Sequence, residues 1–291
     1  MSTPLLIGLI AVAVLGVGGL VVSLVLGVRW RTMVTSARRE RDEAHVIKND
    51  FVAMVSHELR TPLTSIAGFS ETLESAWRDL PPDEVDEFLS IITKQSRYLG
   101  DLVEDVLVIP RLEAGRLRLY FEMIDLSELI HDVASLVKSQ SDLETSVAIP
   151  GGVKVWGDPK RCQQVIRNLL ENAGKYGGKQ IVVEGYPTGD HFVVVVSDNG
   201  PGVPDGAVNS IFERFEQVSK GDARSASGIG LGLPIARRLA RAMGGDVWHE
   251  RRFPTGSRFC FAVTQSLEAN ERVMSEIEEA ELQNKPAQIL R

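Results

Sequence analysis

Cysteine is nearly missing. The 291 residues hold only Cys162 and Cys260, which fit neither a disulfide framework nor a metal-binding spacing and read as free thiols in a reducing compartment. A surplus of positive charge is missing too. Lys and Arg number 32 against 39 Asp and Glu, a formal net charge of −7, which excludes the broad basic surface of a general nucleic-acid binder. No internal repeat is apparent. One stretch lacks charge altogether: Leu5 to Val28 has no ionisable side chain and exceeds the roughly 20 residues that cross a hydrocarbon core. Met1–Pro4 carries no basic residue, unlike the start of a cleaved signal peptide. Arg29, Arg31, Arg38, Arg39 and Arg41 follow the stretch instead. The positive-inside rule then predicts a single-pass signal anchor over 1–28, in membrane lipid of the cell membrane, with all later residues cytoplasmic. So few residues precede it that no outside sensor domain is expected, and a stimulus would enter through the membrane or a membrane-protein partner.

What is there is ordinary for a folded chain, with 44% hydrophobic and 24% charged residues. Residues 29–50 are charged and helix-favouring, with a weak heptad through Trp30, Val34, Ala37, Ala44 and Phe51 that predicts a short coiled-coil connector. Two long helical patterns follow, from Ile47 to Trp77 and from Asp83 to Leu112, with a loop at Leu80-Pro81-Pro82. Val85, Phe88, Leu89, Ile92, Leu99, Val103 and Val106 make one apolar face on the second. A lone hairpin cannot cover such faces, so a homodimeric four-helix bundle is expected over 51–115.

Beyond Leu117 the pattern predicts strands at Val147–Ile149, Val153–Trp156, Gln180–Gly185, His191–Ser197, Gly245–Glu250 and Arg258–Val263. Helices are expected at Leu126–Lys138, Pro159–Tyr176 and Leu233–Met243. The expected architecture is a membrane helix, an all-α bundle hairpin, and an α+β two-layer sandwich over 116–264. The glutamate-rich 265–291 reads as a solvated helix or disordered tail.

Phe51 to Ile66 reads F-V-A-M-V-S-H-E-L-R-T-P-L-T-S-I. His57 lies between apolar Val55 and Leu59, and an imidazole offers an unprotonated ring nitrogen as nucleophile at neutral pH. Thr61 shares its helical face, four residues on. Pro62 lacks the N–H that would bond the Glu58 carbonyl, which predicts a bend beyond the histidine. A lone helical histidine is usually a bland surface residue, and His45, His131, His191 and His249 are read that way. The string S-H-E-L-R-T-P-L around His57 is different: it resembles the phosphoacceptor box of sensor histidine kinases. The resemblance implies that His57 accepts a phosphoryl group, that Glu58 orients or deprotonates it, and that Thr61 positions water when the partner is dephosphorylated.

Further segments resemble the ATP site shared by histidine kinases, gyrases and heat-shock-90 chaperones. The first is N-L-L-E-N-A-G-K-Y, in which Asn168 and Asn172 share one helix face. Amide carbonyls suit a hard cation, and the resemblance implies Asn172 as the main Mg²⁺ ligand with Asn168 beside it. Lys175 is then implied at a phosphate and Tyr176 beside the adenine. The second is S-D-N-G-P-G after an apolar strand, where Asp198 can accept from an adenine amino group and Gly200 and Gly202 let backbone approach the base. The third is G-I-G-L-G-L, with Gly228, Gly230, Gly232 and Leu233 opening a helix whose N-terminus favours phosphate. Between them I-F-E-R-F-E-Q-V matches the family's phenylalanine box, with Phe212, Arg214 and Phe215 toward the nucleotide. Residues 219–227 read as a lid bearing Lys220 and Arg224, which are equally explained as surface charges.

The resemblance covers Lys48 to Thr264. It implies ATP- and Mg²⁺-dependent phosphorylation of His57, followed by transfer to an aspartate of a response regulator. The other ATPases of this superfamily use a catalytic glutamate where this chain has Asn168. The rival reading is a non-catalytic membrane adaptor that pairs with another kinase, against which the intact acceptor, metal and adenine positions speak. One departure stands out: Pro110, near the end of the second bundle helix, is expected to end or kink it early.

Overall fold

The computed structural model describes residues 52–139, 143–213 and 230–282, and the expected membrane anchor and connector lie outside them. Among the described residues no helix is long and apolar enough to cross a membrane. The chain divides into two compact units, 1–57 and 58–291. Helical residues 52–76 form α1, and the boundary falls within it, after His57.

Helix α2 runs over Pro82–Glu113 and begins as a helix should, with proline at its first position and Asp83 and Glu84 in its first turn. Phe69 of α1 meets Phe88 of α2 with ring centroids 5.0 Å apart. Pro110 does not end the helix early, contrary to the expectation. It sits within the last turn, where one missing N–H costs a single bond. The carbonyls there are taken up beyond it, by Ala114 N–H to Pro110 O and Arg116 N–H to Arg111 O, around Gly115 at φ +61°.

An α+β sandwich follows. A short antiparallel pair, β1 (Glu122–Asp125) with β3 (Lys154–Gly157), stands beside a five-stranded sheet of order β2-β4-β5-β7-β6. These are Glu144–Ala148, Gln180–Thr188, His191–Asp198, Ser257–Thr264 and Asp246–Arg251. Only the β2–β4 pair is parallel. Helices α3 (Leu126–Ser139), α4 (Pro159–Tyr176) and α5 (Gly232–Ala242) pack on the sheet. β5 is central and all eight of its residues are buried, which accounts for the unbroken apolar run Phe192–Val196. On one face of the sheet Trp248 covers Val193, Val195, Cys260 and Ala262. Both cysteines are free and buried, as expected.

Of the two forms expected for the acidic tail, the described part takes the helical one, though it is not wholly solvated. Residues Leu267–Leu282 form α6, whose Ala269, Asn270 and Val273 are buried. Asn270 donates to Met243 O at 2.7 Å and to Thr264 Oγ1 at 3.2 Å, tying α6 to the ends of α5 and β7.

Candidate nucleotide and phosphoacceptor sites

His57 is exposed on α1, and Glu58 is half-buried one residue on. Tyr98 of α2 donates to Glu58 Oε2 at 3.5 Å. Burial, then the charges of Glu58 and Glu171, push the Tyr98 phenol up to about 12, so the hydroxyl stays protonated as a donor. Thr61 is exposed and Pro62 is buried within the continuing helix.

The nucleotide boxes converge because of how α4 begins and ends. Asp158 caps it, accepting from Arg161 N–H at 3.1 Å, and Pro159 occupies its first turn. Cys162, Val165, Ile166, Leu169, Leu170 and Ala173 are buried as its apolar stripe. That packing fixes the rotation of α4 and so the direction of Asn168 and Asn172. Asn168 is buried and donates through Nδ2 to Gly232 O at 3.1 Å, which joins the first box to the third. Its Oδ1 remains as the oxygen able to face a cation. Asn172 is half-buried one turn further, while Lys175 and Tyr176 are exposed at the helix end. Burial raises the Tyr176 phenol.

Gly177 closes α4, and a side chain there would strike Asp198. A Cβ on Gly200 would sit 2.6 Å from Gly177 Cα, so only glycine permits this crossing. The first and second boxes therefore meet at Asp198, which is 3% exposed at the end of β5. Its Oδ1 accepts from Gly200 N–H at 2.9 Å and Ser257 N–H at 3.2 Å. Among the described residues no bond falls on Oδ2, the oxygen left for an adenine amino group. Burial pushes the Asp198 carboxyl up and these backbone donors pull it back.

The phenylalanine box packs against α5. Arg237 of α5 stacks over the Phe212 ring at 4.7 Å while its Nε bonds Asp246 Oδ1 at 3.1 Å. Gly230 takes φ +69° just before α5, and Leu233 lies in its first turn. Arg214, Phe215, Lys220, Arg224 and Gly228 lie outside the described residues.

Sequence reasoning missed the support behind Asp198. Arg252 Nη1 donates to the Asp198 carbonyl at 2.8 Å, and Gly256, at φ +113°, would drive a side chain into that carbonyl. The signal was the string Thr255-Gly256-Ser257 at the start of β7.

The residues fit Mg²⁺ in one respect: Asn168 and Asn172 supply neutral amide oxygens. Among the described residues no cluster of three His, Cys, Asp or Glu could hold a metal. An ion here therefore relies on phosphate oxygens and water for the rest of its shell, as Mg²⁺ does.

Comparison with known proteins agrees with this geometry. Residues 47–115 match the family model "His Kinase A (phospho-acceptor) domain". Residues 157–267 match "Histidine kinase-, DNA gyrase B-, and HSP90-like ATPase". The signal transduction histidine-protein kinase BarA of Escherichia coli is 35% identical over 246 residues, covering 80% of this chain and 26% of that one. The kinase AfsQ2 of Streptomyces coelicolor is 32% identical over 226 residues, covering 74% of this chain and 41% of its own length. The chain thus spans well under half of these relatives. Among solved structures, full-length ShkA in complex with AMPPNP superposes with a TM-score of 0.52 at 28% identity, over 74% of this chain and 46% of that one. The histidine kinase AdeS of Acinetobacter baumannii gives 0.52 at 23% identity, over 72% and 98%, which speaks for the fold alone.

Proposed function

The chain belongs to the sensor histidine kinases, with a phosphoacceptor domain followed by an ATPase domain, and from that premise we propose that it phosphorylates itself on His57 from ATP. The phosphoryl group then passes to an aspartate of a response regulator. The joining of three separate boxes carries this reading: Gly177 at the end of the first and Gly256 before β7, 21 and 58 positions away, crowd Asp198 of the second, while Asn168 of the first donates to Gly232 O of the third. The AMPPNP bound to ShkA supports a nucleotide in this fold.

Asp198 Oδ2 accepts the adenine amino hydrogen while Gly200 and Gly202 let the base lie against backbone. Asn168 and Asn172 would hold Mg²⁺ through their amide oxygens. Bound Mg²⁺ would neutralise charge on the phosphates. The α5 N-terminus offers unpaired N–H groups to phosphate, and Lys175 lies at the end of α4 as a further cation. Catalysis is then chiefly positioning, since a loose phosphoryl transition state leaves little covalent work for the protein. Glu58 orients the imidazole and accepts its proton, and Thr61 positions the water that later dephosphorylates the regulator. Leu5–Val28 anchors the chain in the cell membrane as a homodimer with its catalytic part cytoplasmic, which the arginines after Val28 support.

Incubating the chain with γ-labelled ATP and Mg²⁺ tests the reading. Wild type should acquire acid-labile, alkali-stable label. His57→Gln should bind ATP yet take up none. Label at the wild-type level in that variant would refute His57 as acceptor.

A further inference from the structure

Helix α4 has a second polar row beside the one that carries Asn168 and Asn172. Lys160, Gln164, Arg167 and Glu171 recur at four, three and four residues, one face of a helix about 100° of rotation or less from the asparagine row. This row lies against α2. Lys160 Nζ is 2.8 Å and Arg161 Nη1 3.1 Å from Glu104 Oε1. Gln164 Nε2 donates to Asp105 Oδ1 at 2.6 Å, and Arg167 Nη1 lies 2.7 Å from Asp101 Oδ2. Gln164 Oε1 also accepts from Arg161 Nη1 at 2.8 Å, and both residues are buried. On α2 the partners Asp101, Glu104 and Asp105 again share one face, and Tyr98 lies one turn before them.

The pairing is ordered. As α4 runs forward from Lys160 to Arg167, its partners on α2 run back from Glu104 and Asp105 to Asp101. The end of α4 that bears Asn172 therefore lies toward Tyr98, and Tyr98 donates to Glu58. Glu171, beside Asn172, is close enough to raise the Tyr98 phenol. Glu104 and Asp101 meet the bases Lys160, Arg161 and Arg167, and Asp105 meets the Gln164 amide, so the match is one of charge as well as shape.

We infer that the α2 strip Asp101–Glu104–Asp105 is a docking surface for helix α4, which holds the ATPase domain against α2 by that helix in the arrangement used for phosphoryl transfer. The inference rests on the kinase reading above. These are positioning residues: none of them touches nucleotide or imidazole. The outer pairs are partly exposed, with Asp101 at 51% and Lys160 at 66% side-chain exposure, so each is individually weak. A domain that must dock for transfer and withdraw for the regulator needs contacts of that kind. The buried Arg161–Gln164 pair gives the strip its register. Burial of Asp105, which pushes its carboxyl up to about 6, is consistent with a strip closed off from water.

Reciprocal charge exchange at Asp101 and Arg167 tests this in the full chain. Rates of His57 labelling are measured against ATP concentration for Asp101→Arg, Arg167→Asp and the double exchange, with binding of a fluorescent ATP analogue as a separate readout. Each single reversal should lower kcat about tenfold, the scale of a modest misplacement, and leave KM for ATP and analogue binding near wild type. The double exchange should restore most of the rate. A reversal that labels as fast as wild type or faster, or a double exchange that restores nothing, overturns the docking role. Should a reversal abolish analogue binding, the milder Asp101→Ala decides: a smaller kcat loss at unchanged KM supports the strip, and an unchanged kcat overturns it. Failure of wild type itself to label His57 would instead refute the kinase reading.

Discussion

In the proposed function Asp198 would meet the adenine and Asn172 the phosphate end of one nucleotide, and their surroundings differ. Asp198 is buried, held by Gly200 and Ser257 N–H groups on one oxygen, and already raised by burial. Asp198→Asn replaces an acceptor with an amide that can present N–H to the adenine amino group. It should weaken adenine-containing ligands by about 1–3 kcal/mol, the scale of a lost buried hydrogen bond. Asn172 is half-buried on α4. Asn172→Asp adds charge beside the phosphates and should disturb ATP and ADP while leaving adenosine little changed. Calorimetric affinities of both variants for adenosine and ADP check this, and identical profiles would remove the division of labour.

At this scale the two ends were unequally legible. Asn168, Asn172 and Asp198 could be read because each box is short and contiguous. Arg252, Gly256 and Ser257 could not. They reach Asp198 only because β7 pairs with β5 and its preceding loop folds back, a contact made across more than fifty residues.

Among elements, α4 was predicted to the residue because Asp158-Pro159 marks its start and Gly177 its end. Strand β1 was missed: its four residues, Glu122–Asp125, are half polar without alternation, and the pairing with β3 makes them a strand. Pro110 was misjudged as an early stop: it removes one N–H, and α2 still runs three residues past it to Glu113. The tail was read from its glutamates, which hid Ala269, Asn270 and Val273 on the packed side of α6. The acids of α2 were equally silent, since Asp101, Glu104 and Asp105 look like a solvated face until α4 lies on them.

That contact makes the α2–α4 junction pH-dependent. Burial raises Asp105 to about 6, against the hydrogen bond from Gln164 and the charge of Arg167, while Glu171 and Asp101 raise it further. A carboxyl raised on folding favours the protonated state in the folded chain. Its contribution is complete below the ordinary carboxylate range and is lost as pH rises through about 6. It is worth at most about 3 kcal/mol, from 1.36 kcal/mol per unit. Thermal melts should therefore show wild type losing stability from pH 5 to 7 relative to Asp105→Asn. Parallel pH profiles for the two proteins would remove Asp105 as the titrating group.

The hairpin carries exposed apolar surface among the described residues. Leu63 is 57% exposed, Leu89 50%, Val103 44% and Leu107 42%, although α1 and α2 already pack through Phe69 and Phe88. Buried leucines contribute about 1.5–3 kcal/mol each, so four side chains from two copies of Leu63 and Leu89 are worth roughly 6–12 kcal/mol to an assembly that covers them. A second hairpin is the partner of matching shape and chemistry, and the family supports a dimer through this domain. Leu63→Glu with Leu89→Glu, in a fragment beginning at Ile47 so that the apolar stretch Leu5–Val28 cannot hold the copies together, should shift the mass by light scattering from dimer to monomer. Helical circular dichroism should persist, because both side chains are exposed within the single chain. A dimer that survives both substitutions would place the interface elsewhere on the molecule.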